Sequence, residues 1–501
     1  MPLACEQPAT SVAMPIAAVL LASLSLIACG PDKSTKATAT PAVLRIGIGG
    51  LPSLAAGRGI QQLITNISTE GLARINQEGK LEPWLAENVQ RSADGRSLDI
   101  QLRPNVKFHD GTPVTAEIVA TFLRASLPRP LGAAFEDVES IAAAANNTVQ
   151  IKFRQPSTFV AEILMDVPVQ TTGPKPSATG PYKVASGPAG PNDPVQVVPF
   201  DQYYQKAPGI QRISLNPYPS IRAAWADMLR GNLDMLYEVS PDLLDSIRGS
   251  TNVSLYTFDR PYQYALLLNT RNPLLKSPKV RQAFNKAIDR DAFVKDGLGG
   301  HGTPSAGPVS SHHWAYEPVG STFTYAPRDA AAMLGKPFTL KCLTVNDAPY
   351  DQMALVLKRQ LQEIGVTLEI EGVGVNEITE ALTKRQFDSI LIETSTGWSL
   401  FRAYRWWHSK GPLNATGFAS PAVDAALERV RHAANDDEYR LGVRAYEQAI
   451  ADDPPAAFLA WGDRSRAVAK AFDVQAQPGR DILNTLRLWQ PSADNRNARN
   501  N

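Results

Sequence analysis

The chain has 501 residues, 44% of them hydrophobic and 20% charged, which is the composition of a globular protein. The formal net charge is +1, so nothing points to nucleic acid or another acidic polymer as a partner. After residue 28 the chain has no apolar run of about 18 residues, which argues against a later membrane span. A chain of this length seldom folds around a single hydrophobic core, so two or three domains are expected.

The N-terminal segment carries an apolar run over residues 16–28 that ends at Cys29. A membrane span needs ~20 residues, so this shorter run is typical of a secretory signal. Its end, Leu26-Ile-Ala-Cys29, resembles the bacterial lipobox, in which the cysteine is lipidated and becomes the new N-terminus. We predict a signal peptide at 1–28 and a lipidated, flexible linker at 29–42. Residues 1–28 lack Lys and Arg, whether Met1 or Met14 is the start, so a buried apolar helix is the alternative.

The three cysteines leave no intrachain disulfide on this interpretation. Cys5 would be removed with the signal and Cys29 would be lipidated, so Cys342 is the remaining free thiol. Cys342 lies in FTLKCLTV, an apolar strand-like stretch, and we expect it to be a buried structural residue. A reactive thiol is the alternative.

The body of the chain alternates between strand and helix patterns, which predicts an α/β protein. Thr115 has the side chain of a good N-cap, and Gly365 can end a helix at its C′ position. Gly231 has the same role before an apolar strand-like segment. Strands are predicted at residues 44–48, 98–102, 366–370 and 389–393, and helices after Thr115, Ser277 and Asp289 and over residues 352–364, 421–432 and 437–451.

Several longer blocks of the chain have a distinctive sequence. They are LEPWLAE from Leu81, LRPNVKFHDGTPVTAE from Leu102, ATGPYKV from Ala178, MLRGNLDML from Met228, PKVRQAFNKAIDR from Pro278 and SPAVDAAL from Ser420. Together and in this order they closely resemble one family, the extracytoplasmic solute-binding proteins of peptide/nickel-type ABC importers, also called family 5. The resemblance covers about residues 43–490.

The resemblance implies a two-lobed periplasmic-binding-protein-like fold, class II of the peptide-binding type, with an extra subdomain in the first lobe. The two lobes would close on the ligand about a hinge. The implied parts are lobe I at 43–66, 171–260 and 465–490, the extra subdomain at 67–170, lobe II at 261–464 and a disordered tail at 491–501.

The same resemblance places three segments around the ligand. Trp398 is the strongest candidate, as an aromatic pocket wall beyond the end of a strand, although ordinary core packing is the alternative. The implied ligand-binding residues are Arg58 and Gly59 after the first strand, Tyr262, Gln263 and Tyr264 at the crossover between lobes, and Gly397, Trp398, Ser399, Phe401 and Tyr404.

The last of these segments departs from the family at Phe401. Peptide binders of the family commonly place an Asp three residues after the Trp, where it pairs with the α-ammonium of the peptide. A buried ammonium without a partner charge is costly, so either Glu393, Asp388 or a neighbouring group substitutes, or the ligand is not a free-amino peptide. The neighbouring Arg402, Arg405, Trp406 and Trp407 suit an anionic or aromatic ligand, unless the arginines face solvent and the tryptophans pack in the core.

No catalytic motif or metal-ligand pattern stands out. The adjacent His312 and His313 would point oppositely in a strand, so no metal site and no cofactor are expected.

The expected function is a non-enzymatic binding protein that captures a peptide or similar solute and delivers it to an ABC permease driven by a separate ATPase. Alternatives are a haem, nickel-chelate, opine or oligosaccharide binder, or a secreted hydrolase. We expect a monomer in the periplasm or at the cell surface, held to the membrane only by the lipid at Cys29.

Overall fold

The computed structural model describes residues 43–49, 59–76, 80–187, 193–240, 243–305, 307–318 and 323–493. The predicted signal peptide, the lipid anchor at Cys29 and the predicted pocket residue Arg58 lie outside these ranges. Among the described residues, no helix combines the length and the apolarity that a membrane span requires.

The strands and helices alternate along the chain. The strands are β1 (Val43–Gly49), β2 (Ala73–Ile75), β3 (Leu81–Pro83), β4 (Ala86–Arg91), β5 (Ser97–Leu102), β6 (Val138–Ala144), β7 (Thr148–Phe153), β8 (Tyr182–Ser186), β9 (Val195–Pro199), β10 (Arg212–Tyr218), β11 (Met235–Leu236), β12 (Val253–Leu268), β13 (Gly302–Pro304), β14 (Phe338–Val345), β15 (Val366–Val373), β16 (Ser389–Thr394), β17 (Ala456–Ala469), β18 (Phe472–Asp473) and β19 (Gln490–Pro491). The helices are α1 (Gly59–Ser68), α2 (Ala116–Ser126), α3 (Pro128–Leu131), α4 (Phe159–Ile163), α5 (Ile221–Leu229), α6 (Leu244–Arg248), α7 (Pro278–Ala287), α8 (Arg290–Ala292), α9 (Pro327–Leu334), α10 (Ala348–Gln362), α11 (Val375–Lys384), α12 (Leu400–Trp407), α13 (Pro421–Arg431) and α14 (Asp436–Asp452).

Local signals in the sequence account for the ends of several elements. The Thr115 hydroxyl accepts a hydrogen bond from the backbone N–H of Ile118 and so caps α2, as predicted. Gly365 has φ +86°, which suits the left-handed turn between α10 and β15. The start predicted for α10 was wrong by four residues, because the helix begins at Ala348 with Pro349 in its first turn.

The main sheet has two halves joined by two long strands. Its order is β15-β14-β16-β12-β17-β11-β1-β10-β9-β8, and β13 also pairs with β17. We name β1 and β8–β11 the first half-sheet, and β13–β16 the second half-sheet. Strands β12 and β17 pair antiparallel through both halves, with a register shift between Asp259 and Gln263. This irregular point lies where the chain passes from one half to the other.

Both faces of the second half-sheet are covered, which explains the unbroken apolar run in β16. Ile390 and Ile392 face one hydrophobic cluster, whereas Leu391 between them faces another. In the neighbouring β14, Cys342 is a fully buried free thiol, as predicted, and burial raises its pKa to about 12.

A separate four-stranded antiparallel sheet, β4-β5-β7-β6, lies within residues 86–153 and packs against α2. Its hydrophobic core continues into α12, α13 and α14 rather than ending at the sheet. The lobe and subdomain boundaries given above stay predictions.

Candidate functional site

A cavity of about 290 Å³ lies where the first half-sheet, the β2–β3 region and the start of α12 meet. We call it the cleft cavity. Its walls combine aromatic rings with charged groups, and they come from seven separate stretches of the chain. The lining includes Asn66, Glu70, Arg74, Trp84, Met165, Asp166, Tyr182, Tyr203, Trp398, Arg402, Gln477, Arg480, Asn484 and Arg487.

Trp398, which the family resemblance implies as a pocket wall, lines the cleft cavity, and its role in ligand binding stays a prediction. It follows β16 and precedes α12, and its φ is +63°, a left-handed conformation that is rare for a bulky residue. Such strain is found where the surrounding structure holds a residue in place for a function. The other side of Trp398 lines a smaller hollow with Asp259, His312 and Asp463.

Two of the four arginines in the cleft cavity are neutralised by carboxylates. Arg402 forms a two-point ion pair with Asp166, with distances of 2.9 Å from Nε to Oδ2 and 2.5 Å from Nη2 to Oδ1. Arg74 pairs with Glu82, and its guanidinium carbon lies 3.8 Å from the centre of the Trp84 ring. These contacts fix both guanidinium groups in the wall.

Glu70 is a buried carboxyl group in the same wall. Its Oε1 accepts hydrogen bonds from Trp84 Nε1 at 3.0 Å, Tyr203 OH at 2.8 Å and Tyr204 OH at 3.2 Å. Its Oε2 is buried without a hydrogen-bond partner. Burial raises the pKa of Glu70 to about 7, although these hydrogen bonds act to lower it.

The residues around Trp398 are buried, and they support the start of α12. Ser399 Oγ donates to Glu162 Oε2 at 2.5 Å, and the backbone N–H of Phe401 donates to the same oxygen at 3.0 Å. The Phe401 and Tyr404 rings are buried against Phe159, with centroids 5.6 and 5.3 Å away. Gly397 is buried as well. None of these four predicted residues lines the cleft cavity.

The three residues predicted at the crossover between lobes all lie in β12. Gln263 is fully buried, and its Nε2 donates to Ser305 Oγ and Gly307 O, both at 2.6 Å. The Tyr264 hydroxyl accepts from Arg464 at 3.2 Å. Tyr262 is half-buried, with the guanidinium of Arg260 4.2 Å from its ring centre.

Gly59 begins α1 with φ +60°. It does not line the cleft cavity, and the ligand-binding roles of all these residues stay predictions.

Neither of the two carboxylates named as substitutes for the family's Asp lines the cleft cavity. Glu393 forms an ion pair with Arg464, at 2.6 Å. Asp388 lies at the opposite end of β16 from Trp398 and accepts a hydrogen bond from Asn272. Of the flanking group, Arg402 lines the cleft cavity, whereas Arg405, Trp406 and Trp407 do not.

The adjacent histidines face different surroundings. His312 Nδ1 lies 3.4 Å from Asp259, whereas His313 is buried with its ring stacked on Tyr439. Burial lowers the pKa of His313 to about 3. Within the part of the chain that the structure describes, no group of three or more His, Cys, Asp and Glu residues could hold a metal ion.

Most charged groups of the cleft cavity were missed by sequence reasoning. Glu70, Asp166, Arg480 and Arg487 lie in separate segments, apart from Arg480 and Arg487, and no local spacing indicates a shared site. Trp84 lies in the LEPWLAE block, which indicated the family but not a role in a pocket. Only the tertiary contacts bring these side chains together.

Comparison with known proteins gives consistent matches. Residues 80–413 match the family "Bacterial extracellular solute-binding proteins, family 5 Middle". The oligopeptide-binding protein AppA of Bacillus subtilis is 24% identical over 95% of this chain and 98% of its own. Its structure with a nonapeptide superposes with a TM-score of 0.76 at 21% identity, covering 90% of this chain and all of that one.

Two further relatives carry different ligands in their names. The glutathione-binding protein GsiB of Pectobacterium atrosepticum is 26% identical over 81% of this chain and 85% of its own. NikZ from Campylobacter jejuni, solved in complex with Ni(L-His), has a TM-score of 0.77 at 22% identity and covers 89% of this chain and 99% of that one. The shared fold is therefore two-lobed, and the named ligands differ from one relative to the next.

Proposed function

The chain belongs to family 5 of the bacterial extracellular solute-binding proteins, the binding components of ABC importers, and we propose that its solute is a short peptide or a peptide-like acid. The protein would capture this solute between its two lobes and deliver it to a membrane permease. It would perform no catalysis itself.

The cleft cavity is the observation that carries this proposal. Trp398 in its wall also lines a hollow with Asp259 of β12 and Asp463 of β17, where these strands cross between the two half-sheets, so a hinge motion there would move one wall of the cavity. Its lining offers two tryptophan rings for apolar contact and several charged groups for polar ends, the mixture that orients a small ligand.

The size of the cavity favours a short solute. Its volume of about 290 Å³ is at the lower end of the range for ligand pockets, roughly 300–1,000 Å³. AppA has been solved with a nonapeptide and GsiB is named for glutathione, a tripeptide. In this conformation the volume suits a ligand closer in size to glutathione than to a nonapeptide.

We also propose that the mature protein is a monomeric lipoprotein outside the cytoplasm. Cys29 at the end of the lipobox-like segment would carry the lipid, and residues 30–42 would link it to the folded body. The permease and its separate ATPase are the proposed partners.

Thermal unfolding and calorimetric titration of residues 30–501 test the proposed solute. The probes are glutathione, trialanine, a nonapeptide, a nickel–histidine chelate, haem and an oligosaccharide. A ligand at 100 times its Kd stabilises the folded state by ~2.7 kcal/mol, a clear rise in Tm. Stabilisation by the short peptides supports the proposal. Stabilisation by a chelate, haem or sugar alone would contradict it.

A further inference from the structure

Two arginines of the cleft cavity, Arg480 and Arg487, have no carboxylate of their own; Glu82, which acts on the charge of Arg480, is already paired with Arg74. The other two, Arg74 and Arg402, pair with Glu82 and Asp166 as described. Across the described ranges, neither Arg480 nor Arg487 forms an ion pair. We call these two residues the arginine pair.

The arginine pair is held in the wall by contacts that leave donors free. Arg480 Nη1 donates a hydrogen bond to the backbone carbonyl of Ile75. The other two nitrogens of this guanidinium group are therefore available as donors to a ligand. Arg487 lies over the ring of Trp84, with its guanidinium carbon 5.7 Å from the ring centre. The Nε atom of Arg487 is buried without a hydrogen-bond partner. A buried donor in this state is one that an incoming acceptor would satisfy.

The cavity offers one partly charged carboxyl oxygen to a positively charged group. Asp166 is already engaged by Arg402, and Glu70 accepts three hydrogen bonds through Oε1 while its Oε2 has no hydrogen-bond partner. Glu70 is also only partly charged at neutral pH, because burial raises its pKa to about 7. The position at which the family places an Asp for the α-ammonium is Phe401, which is buried against Phe159.

We propose that Arg480 and Arg487 bind a carboxylate of the solute, and that this carboxylate, rather than an α-ammonium, is the solute's main anchor. This inference rests on the proposed function and narrows it. Arginine suits the role because its planar donors match the two oxygens of a carboxylate. The solute class is then peptides with a free carboxyl end, including those with a blocked amino end.

The test uses randomised tripeptide pools in three forms: unmodified, N-acetylated and C-amidated. Each pool is equilibrated by dialysis against residues 30–501, and bound peptide is quantified by mass spectrometry. We expect the unmodified and acetylated pools to bind and the amidated pool to bind at least about tenfold more weakly.

Variants connect this preference to the arginine pair. Arg480→Gln and Arg487→Gln should each weaken binding of the acetylated pool at least about tenfold. The matched control is Arg359→Gln, at an exposed arginine paired with Asp296 on the surface, which should bind like the parent. Circular dichroism confirms that each variant is folded.

Each contrary result has a distinct meaning. Equal binding of amidated and unmodified pools, or parental affinity in both cavity variants, overturns the inference and leaves peptide capture standing. Loss of binding on acetylation alone would identify an ammonium anchor and also overturns it. In a competition arm, inorganic phosphate and acetate are added to the dialysis. Displacement of the bound peptide by phosphate but not by acetate would assign the arginine pair to a phosphate group and overturn the inference. Failure of every pool to bind would overturn the proposed function itself.

Discussion

At the scale of single residues, Trp398 is the side chain on which ligand binding is expected to depend most. It lines the cleft cavity in a left-handed conformation that a tryptophan seldom adopts. Trp398→Ala should weaken binding of the preferred peptide at least about tenfold, which corresponds to about 1.4 kcal/mol. Calorimetric titration measures the affinity. Trp398→Phe keeps an aromatic wall and should recover most of it, and an unchanged Kd for the alanine variant would remove Trp398 from the site.

Glu447 is a second residue with a measurable effect, in this case on how the stability of the protein depends on pH. Burial raises the pKa of its carboxyl from 4.5 to about 8, so the folded state holds a proton that the unfolded state releases. The stability supplied by this protonation is complete below about pH 4.5 and is lost as the pH rises towards 8.

Glu447→Gln should therefore remove a decline of about 1.4 kcal/mol per pH unit across this window. Urea unfolding at half-unit steps from pH 5 to pH 8 measures the slope. The exposed Glu369→Gln is the control and should keep the parental profile. A parental slope in the Glu447 variant would contradict the assignment.

At the scale of elements, the side chain of Glu162 connects α4 to helices α12 and α14. Its carboxylate accepts hydrogen bonds from Ser399 Oγ and the Phe401 N–H at the start of α12, and from Tyr439 OH in α14 at 2.7 Å. Glu162 is itself buried, so loss of the carboxylate would leave three donors unsatisfied away from water.

Glu162→Ala should destabilise the protein by about 3 kcal/mol or more, because each unsatisfied buried donor costs ~1–3 kcal/mol. Glu162→Gln keeps one acceptor oxygen and the packing volume, and should cost less than half as much. Denaturant unfolding compares the two variants. Equal stability of the alanine variant and the parent would show that this junction contributes little.

At the scale of the whole molecule, the continuous strands β12 and β17 connect both half-sheets. A register shift between Asp259 and Gln263 interrupts their pairing at the passage between halves. Irregular pairing leaves fewer ladder hydrogen bonds to break, so this is the place where bending costs least. Trp398 contacts both the cleft cavity and the hollow at this point, so solute capture would act on the arrangement of the entire molecule.

The proposed attachment to the membrane is also a property of the whole molecule. Cys29→Ser should release the protein from the membrane fraction, because no lipid could then be joined to the linker. Cys5→Ser is the matched control, since residue 5 would be removed with the signal, and that variant should stay with the membrane. Fractionation and immunoblotting read out both. Retention of the Cys29 variant in the membrane fraction would contradict the lipoprotein proposal.

The sequence by itself determined the fold class, the family and most element positions, because these depend on local signals. Thr115 caps α2 and Gly365 turns the chain after α10 through their own chemistry and that of close neighbours. The order of the family blocks extended this local information to the two-lobed fold.

Only the tertiary structure decided the composition of the cleft cavity. Asp166 and Arg402 pair across 236 positions of the chain, and Arg487 reaches the ring of Trp84 from near the end of the folded body. Whether an arginine is neutralised depends on a partner that any element of the fold can contribute, so spacing in sequence carries no information about it. For the same reason Phe401 and Tyr404, which follow Trp398 closely in sequence, lie in the core while Trp398 faces the cavity.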